Sequence, residues 1–153
     1  MQLQNILTLE RTVSGASASS KKRVLEIIAE HICKDVSAFD NEELFQRFNA
    51  REKLGSTGIG KGIAIPHCRV PNCLGITGAL FTLDKPVAFD AIDDQPVDIL
   101  FVLMVPEEAC DDHLQALSMM AELFSAEDYC QSLRATNSNQ ELFDAALQPI
   151  ATG

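Results

Sequence analysis

Basic residues are scarce in this chain: 12 Lys and Arg stand against 22 Asp and Glu, giving a formal net charge of -10 over 153 residues. Phosphate repulsion would be the first obstacle to binding nucleic acid, so that class is disfavoured. A protein partner with a basic docking face suits the charge better, because complementary fields steer encounter. No C-x-x-C pair occurs, and the cysteines (Cys33, Cys68, Cys73, Cys110 and Cys130) are odd in number. Cysteines and histidines lack metal-ligand spacing, so reduced thiols in a cytoplasm are the simplest account. Residues 1–20 have no continuous apolar core of the kind a secretory signal or membrane anchor needs. A cytoplasmic protein without membrane insertion is expected. Internal repeats are also missing, and the one biased tract, Ser14 to Ser20, reads as a loop offering helix N-caps.

What is present suits one domain over residues 1–153, large enough to bury roughly 68–70% of its unfolded surface. Val24, Leu25, Ile28 and Ile32 recur at helical spacing, predicting a helix from about Ser19 to Cys33. Asp40 can cap a second helix, with Leu44, Phe45 and Phe48 on its apolar side and Gly55 at its end. Strands are expected at Ile63–Ile65 and Ile76–Leu83, with a further edge at Pro86–Ile92. Val97–Val105 is a near-continuous apolar run and reads as a central strand covered on both faces. Leu114, Leu117, Ala121 and Phe124 mark a helix that Asp111 or Asp112 can cap, and Leu133 and Leu142–Leu147 suggest two shorter ones. The class is α/β, a sheet between helices whose strands are not all parallel.

Residues 55–67 (Gly55-Ser56-Thr57-Gly58-Ile59-Gly60-Lys61-Gly62-Ile63-Ala64-Ile65-Pro66-His67) carry the chemistry. Gly55 to Lys61 match the start of a P-loop, but Gly62 replaces the Ser or Thr that would hold magnesium, and Pro66 opposes a following helix. Nucleotide binding is therefore not expected. His67 stands at the end of a buried strand, and amides of Gly58–Gly62 are candidates to support phosphate oxygens. A neutral imidazole is an available nucleophile near pH 7, so His67 reads as prepared for a phosphoryl group rather than as an idle histidine. His113 shares a helix side with Leu117, Met120 and Phe124; spacing alone makes it a half-buried capping residue. His31 reads as structural. Arg51 either neutralises phosphate oxygens or merely suits a helix C-terminus, and local sequence does not separate the two.

Arg51-Glu52-Lys53 followed by Ser56 through His67 resembles the signature of the mannitol/fructose-type IIA proteins of the sugar phosphotransferase system, most closely its nitrogen-regulatory branch. Leu3–Leu7, Ala88–Asp93, Gln95–Asp98 and His113–Gln115 extend the resemblance over nearly the whole chain. It implies a mixed five-stranded sheet flanked by helices on both sides. It also implies that His67 accepts phosphate from an HPr-like phosphocarrier charged through an enzyme I, with His113 orienting it and Arg51 stabilising charge. No metal or cofactor is implied. Regulated targets such as potassium transporters or sensor kinases fit the resemblance, and the lack of a IIB or IIC unit in these residues favours regulation over uptake. The alternatives are a soluble IIA subunit of fructose- or mannitol-type uptake and a non-catalytic protein-binding module. Cys68 departs from the glycine usual after the active histidine, which raises an altered loop and a site sensitive to oxidation.

Overall fold

Val97–Pro106, the longest apolar run, is the strand around which the other elements are arranged. From Ile99 to Met104 its side chains alternate between two buried clusters, as a period of two on a strand covered on both faces requires. The computed structural model describes residues 2–108 and 111–148, without the side chains of 111 and 112. Its strands are β1 (Thr12–Ala16), β2 (Gly58–Gly60), β3 (Ile63–Ala64), β4 (His67–Val70), β5 (Thr77–Val87) and β6 (Val97–Pro106). The helices are α1 (Lys21–Asp35), α2 (Asn41–Leu54), α3 (Asp111–Phe124), α4 (Glu127–Arg134) and α5 (Asn139–Leu147).

The sheet runs β1-β5-β6-β3-β2, with β4 also paired to β6. Parallel pairs (β1 with β5, β3 and β4 with β6) mix with antiparallel ones (β2 with β3, β5 with β6). The mixed sheet is the one expected, with six strands where five were anticipated. The reason lies at Pro66. Ile63 and Ala64 pair with Ile99 and Leu100, and His67 resumes opposite Leu103, so β3 and β4 follow one line along β6. A proline has no N–H to give the ladder, and the line is cut there.

Helices α1 and α2 share a cluster with Val97, Leu100, Val102 and Met104 of β6, while α3, α4 and α5 pack on Ile99, Phe101 and Leu103. Ser20, Asp40 and Ser138 cap α1, α2 and α5 by accepting from the amide three residues on. The expected cap of α3 at Asp111 or Asp112 lies outside the described side chains. Pro86–Ile92 is not a separate edge: β5 continues through Pro86 to Val87 after a register shift beyond Thr82. Among the described residues, no helix is long and apolar enough to cross a membrane.

Candidate functional site

The turn at Lys61-Gly62 joins β2 to β3, and both residues have positive φ (58° and 83°). That is the two-residue turn whose twist suits a hairpin. Residues 55–61 therefore run from a helix end into a hairpin, not from a strand into a helix, and the P-loop match has no P-loop geometry. The turn also lies at the Ile99 level of β6, four residues along the strand from Leu103, where His67 pairs. Several of its polar groups are already taken. Asp93 accepts from the Lys61 amide, and the Gly62 carbonyl accepts from the amides of Asp98 and Ile99. Ser56 Oγ accepts from the Gly58 amide at 3.0 Å. The Gly58 amide is taken by Ser56, and the turn stands four residues along β6 from His67, so the expectation that this loop cradles the phosphate is corrected.

His67 opens β4 and is half-buried. Its Nδ1 lies 2.8 Å from the Ile65 carbonyl oxygen. A carbonyl only accepts, so the ring proton resides on Nδ1 and the lone pair on Nε2. Arg51, in the last turn of α2, donates its Nε–H to that lone pair at 3.3 Å and an Nη1–H to the Gly55 carbonyl at 2.8 Å. His113, in the first turn of α3, meets His67 edge-on with ring centroids 5.5 Å apart. Its Nε2 is buried and has no hydrogen-bond partner among the described residues. Three side chains from α2, β4 and α3 thus converge, although sequence spacing left two of them as structural residues. His31 instead packs edge-on to Phe81 at 5.9 Å, as a structural residue would.

Burial, above all, holds the His67 ring below the usual histidine range, and Arg51 and His113 push it lower. Burial and then Arg69 and Arg51 do the same to His113. Arginines therefore surround a site in a chain whose overall charge is strongly negative. His31 is likewise lowered, first by burial. Each of these rings binds a proton less readily folded than unfolded, where the value is near 6.5. Stability should then be complete above that value and fall as pH drops through it. Urea midpoints at about pH 7.5 and about pH 5.5 check the sign. A midpoint that rises on acidification would refute it.

Cys68 points the other way along the strand, into the cluster shared with α1 and α2, and is 7% exposed. Its φ is not positive, so a β-carbon is accommodated by ordinary strand geometry. Burial pushes its thiol up to about 12. A buried thiol with so little thiolate is a poor target for oxidants, which corrects the expectation of an oxidation-sensitive site.

Two residues that the sequence reading passed over lie beside the site. Glu52 is buried and accepts from the Thr57 amide at 3.2 Å, from Thr57 Oγ1–H, and from Lys21 Nζ at 2.9 Å. A signal was available. A carboxylate in the last turn of a helix faces the negative end of the dipole, so its place there needs another reason.

Residues 5–148 match the family described as "Phosphoenolpyruvate-dependent sugar phosphotransferase system, EIIA 2". The chain belongs to this family. It is 45% identical over 143 residues to the nitrogen regulatory protein of Pseudomonas aeruginosa, covering 94% of this chain and 93% of that one. Its identity to the nitrogen regulatory protein of Escherichia coli K12 is 44% over 144 residues, covering 94% and 88%. The crystal structure of nitrogen regulatory protein IIA-Ntr from Neisseria meningitidis matches with a TM-score of 0.85 at 39% identity, over 93% of this chain and 97% of that one. Mannitol IIA from E. coli, at 21% identity and a TM-score of 0.72, shares the fold. The IIA chain is a regulatory phosphoryl-transfer component of the phosphotransferase system.

Proposed function

We propose that His67 accepts a phosphoryl group on Nε2 from the phosphohistidine of an HPr-like carrier, and that the chain regulates partner proteins according to its phosphorylation state. The carrying observation is the commitment of Nδ1–H to the Ile65 carbonyl, which leaves Nε2 as the one nucleophilic nitrogen of the ring. In the transfer, the Nε2 lone pair forms the new N–P bond while the donor's N–P bond breaks and its imidazole leaves with the electron pair. Such a reaction asks the protein for alignment and charge stabilisation more than for covalent chemistry. Arg51 now rests its Nε–H on the lone pair, and from there its donors pass to the phosphoryl oxygens as the lone pair is used. The Nε2 of His113, without a partner among the described residues, gains one if it donates to one of those oxygens. Roughly two negative charges then appear at a half-buried site ringed by arginines, enough to change which surfaces dock.

The test is transfer from phosphoenolpyruvate through enzyme I and a carrier of the sugar or nitrogen type. An acid-labile, alkali-stable label is expected, with 31P and 15N spectra placing it on a ring nitrogen distant from the backbone. No label from either carrier would refute the acceptor reading and favour a contact-only module. Onward transfer to a sugar-specific IIB protein would replace regulation with uptake.

A further inference from the structure

We propose that Glu52 and Thr57 are positioning residues that set the tautomer of His67, an inference that rests on reading His67 as the acceptor. A continuous chain of hydrogen bonds leads from α1 to the ring. Lys21 donates to the Glu52 carboxylate, which in turn accepts from both the amide and the hydroxyl of Thr57. The Thr57 carbonyl accepts from the Ile65 amide at 3.0 Å. The Ile65 carbonyl then accepts the Nδ1 proton of His67 at 2.8 Å. The other ring nitrogen refers back to the same helical turn, because Arg51 immediately precedes Glu52 and reaches Nε2.

The connection between helix and hairpin is fixed at both ends by this turn. Arg51 holds the Gly55 carbonyl, the Glu52 carbonyl accepts from the Gly55 amide at 3.2 Å, and the Glu52 side chain holds Thr57. Register is thus passed from α2 to β3 through side chains rather than through the sheet. The Glu52 side chain is only 4% exposed and Thr57 only 5%. Burying a carboxylate at the unfavourable end of a helix dipole costs stability unless every oxygen is well partnered. Here both oxygens are engaged, and linked bonds in a dry site reinforce one another. A relaxed link would let Ile65 turn its carbonyl, the Nε2–H tautomer would gain population, and the nucleophilic lone pair would be lost from the face that Arg51 and His113 present.

The experiment uses the whole chain with 15N-labelled histidine. Ring-nitrogen spectra of His67 are read before any phosphate is added, and labelling rates are then measured with the phosphorylated carrier. Thr57→Val keeps the shape and removes the hydroxyl, while Thr57→Ser restores it. In the wild type Nδ1–H should dominate. Thr57→Val should give a mixed tautomer and a rate lower by roughly ten- to a hundredfold, since small misplacements of second-layer groups cost that much. Thr57→Ser should recover both. Glu52→Gln, nearly isosteric, should reproduce the Thr57→Val pattern and stands in if that variant fails to fold. A wild-type tautomer in Thr57→Val, or equal impairment in Thr57→Ser, would overturn the proposal. Because the tautomer is read on the unphosphorylated chain, absence of transfer in the wild type would strike the acceptor reading alone, leaving the spectra to decide this one.

Discussion

His67→Ala is expected to take up no phosphoryl group under conditions that label the wild type fully, whereas Arg51→Ala is labelled about a hundredfold more slowly. The two outcomes differ because the two side chains do different things. In the proposed transfer His67 supplies the electron pair, and no other described group near it has one to offer in the same place. His113 is 5.5 Å away ring to ring with its Nε2 buried, and Cys68 is turned into the opposite cluster. Arg51 supplies no electrons. It presents a fork of donors already anchored on the Gly55 carbonyl, so its loss removes charge stabilisation and alignment while leaving the nucleophile. Arg51→Lys should recover only part of the rate, because an ammonium cannot hold Gly55 and face the phosphoryl oxygens with the same planar geometry. Single-turnover labelling with a phosphorylated carrier measures all three. Label appearing on His67→Ala would place the acceptor elsewhere and end the argument.

Why His67 stood out in the sequence and its surroundings did not follows from where each kind of information is stored. His67 is marked locally: a proline before it, an apolar strand before that, and glycines upstream. The central strand was legible for the same reason, since a doubly covered strand leaves a near-continuous apolar run from Val97 to Val105, broken only at Asp98. The partners are non-local. Arg51 and His113 lie 16 and 46 residues from His67 in sequence, and only the parallel pairing of β4 with β6 and the packing of α2 and α3 bring them to it. Family resemblance named them where spacing did not. The glycine cradle failed because a cluster of glycines has two uses. Here it makes a tight hairpin and a close approach between β2 and Ala91, where a β-carbon on Gly58 would fall 2.8 Å from the Ala91 Cβ. Strands β1 and β2 were missed because Ser14, Gly15 and the glycines of β2 are poor strand formers, Gly15 and Gly60 having positive φ, and β4 because Pro66 cuts it from β3.

Phe101→Ala should lower stability by about 4 kcal/mol, a large share of the roughly 5–15 kcal/mol that a domain of this kind has. Phe101 is fully buried on the side of β6 that carries Ile99 and Leu103, and its ring packs at 5.5 Å against Phe124, which in turn meets Tyr129 at 5.5 Å. Removing it takes away transfer free energy and leaves a cavity under the C-terminal end of α3, the helix that carries His113 at its other end. Thermal unfolding should begin about 8–16 °C lower. One neighbour makes the argument testable beyond its size. A β-carbon placed on Gly78 would lie 2.9 Å from Phe101 Cζ, so the ring occupies the space that this glycine leaves open. In the wild type Gly78→Ala must therefore displace the ring and should destabilise. In the Phe101→Ala background that obstacle is gone, and the same change should cost much less, because its methyl then enters space that the ring has vacated. A double-mutant cycle on denaturant midpoints measures the difference as a coupling between the two positions. Strict additivity would mean that the ring moves aside freely, and that β6 does not hold α3 as rigidly as the aromatic contacts imply.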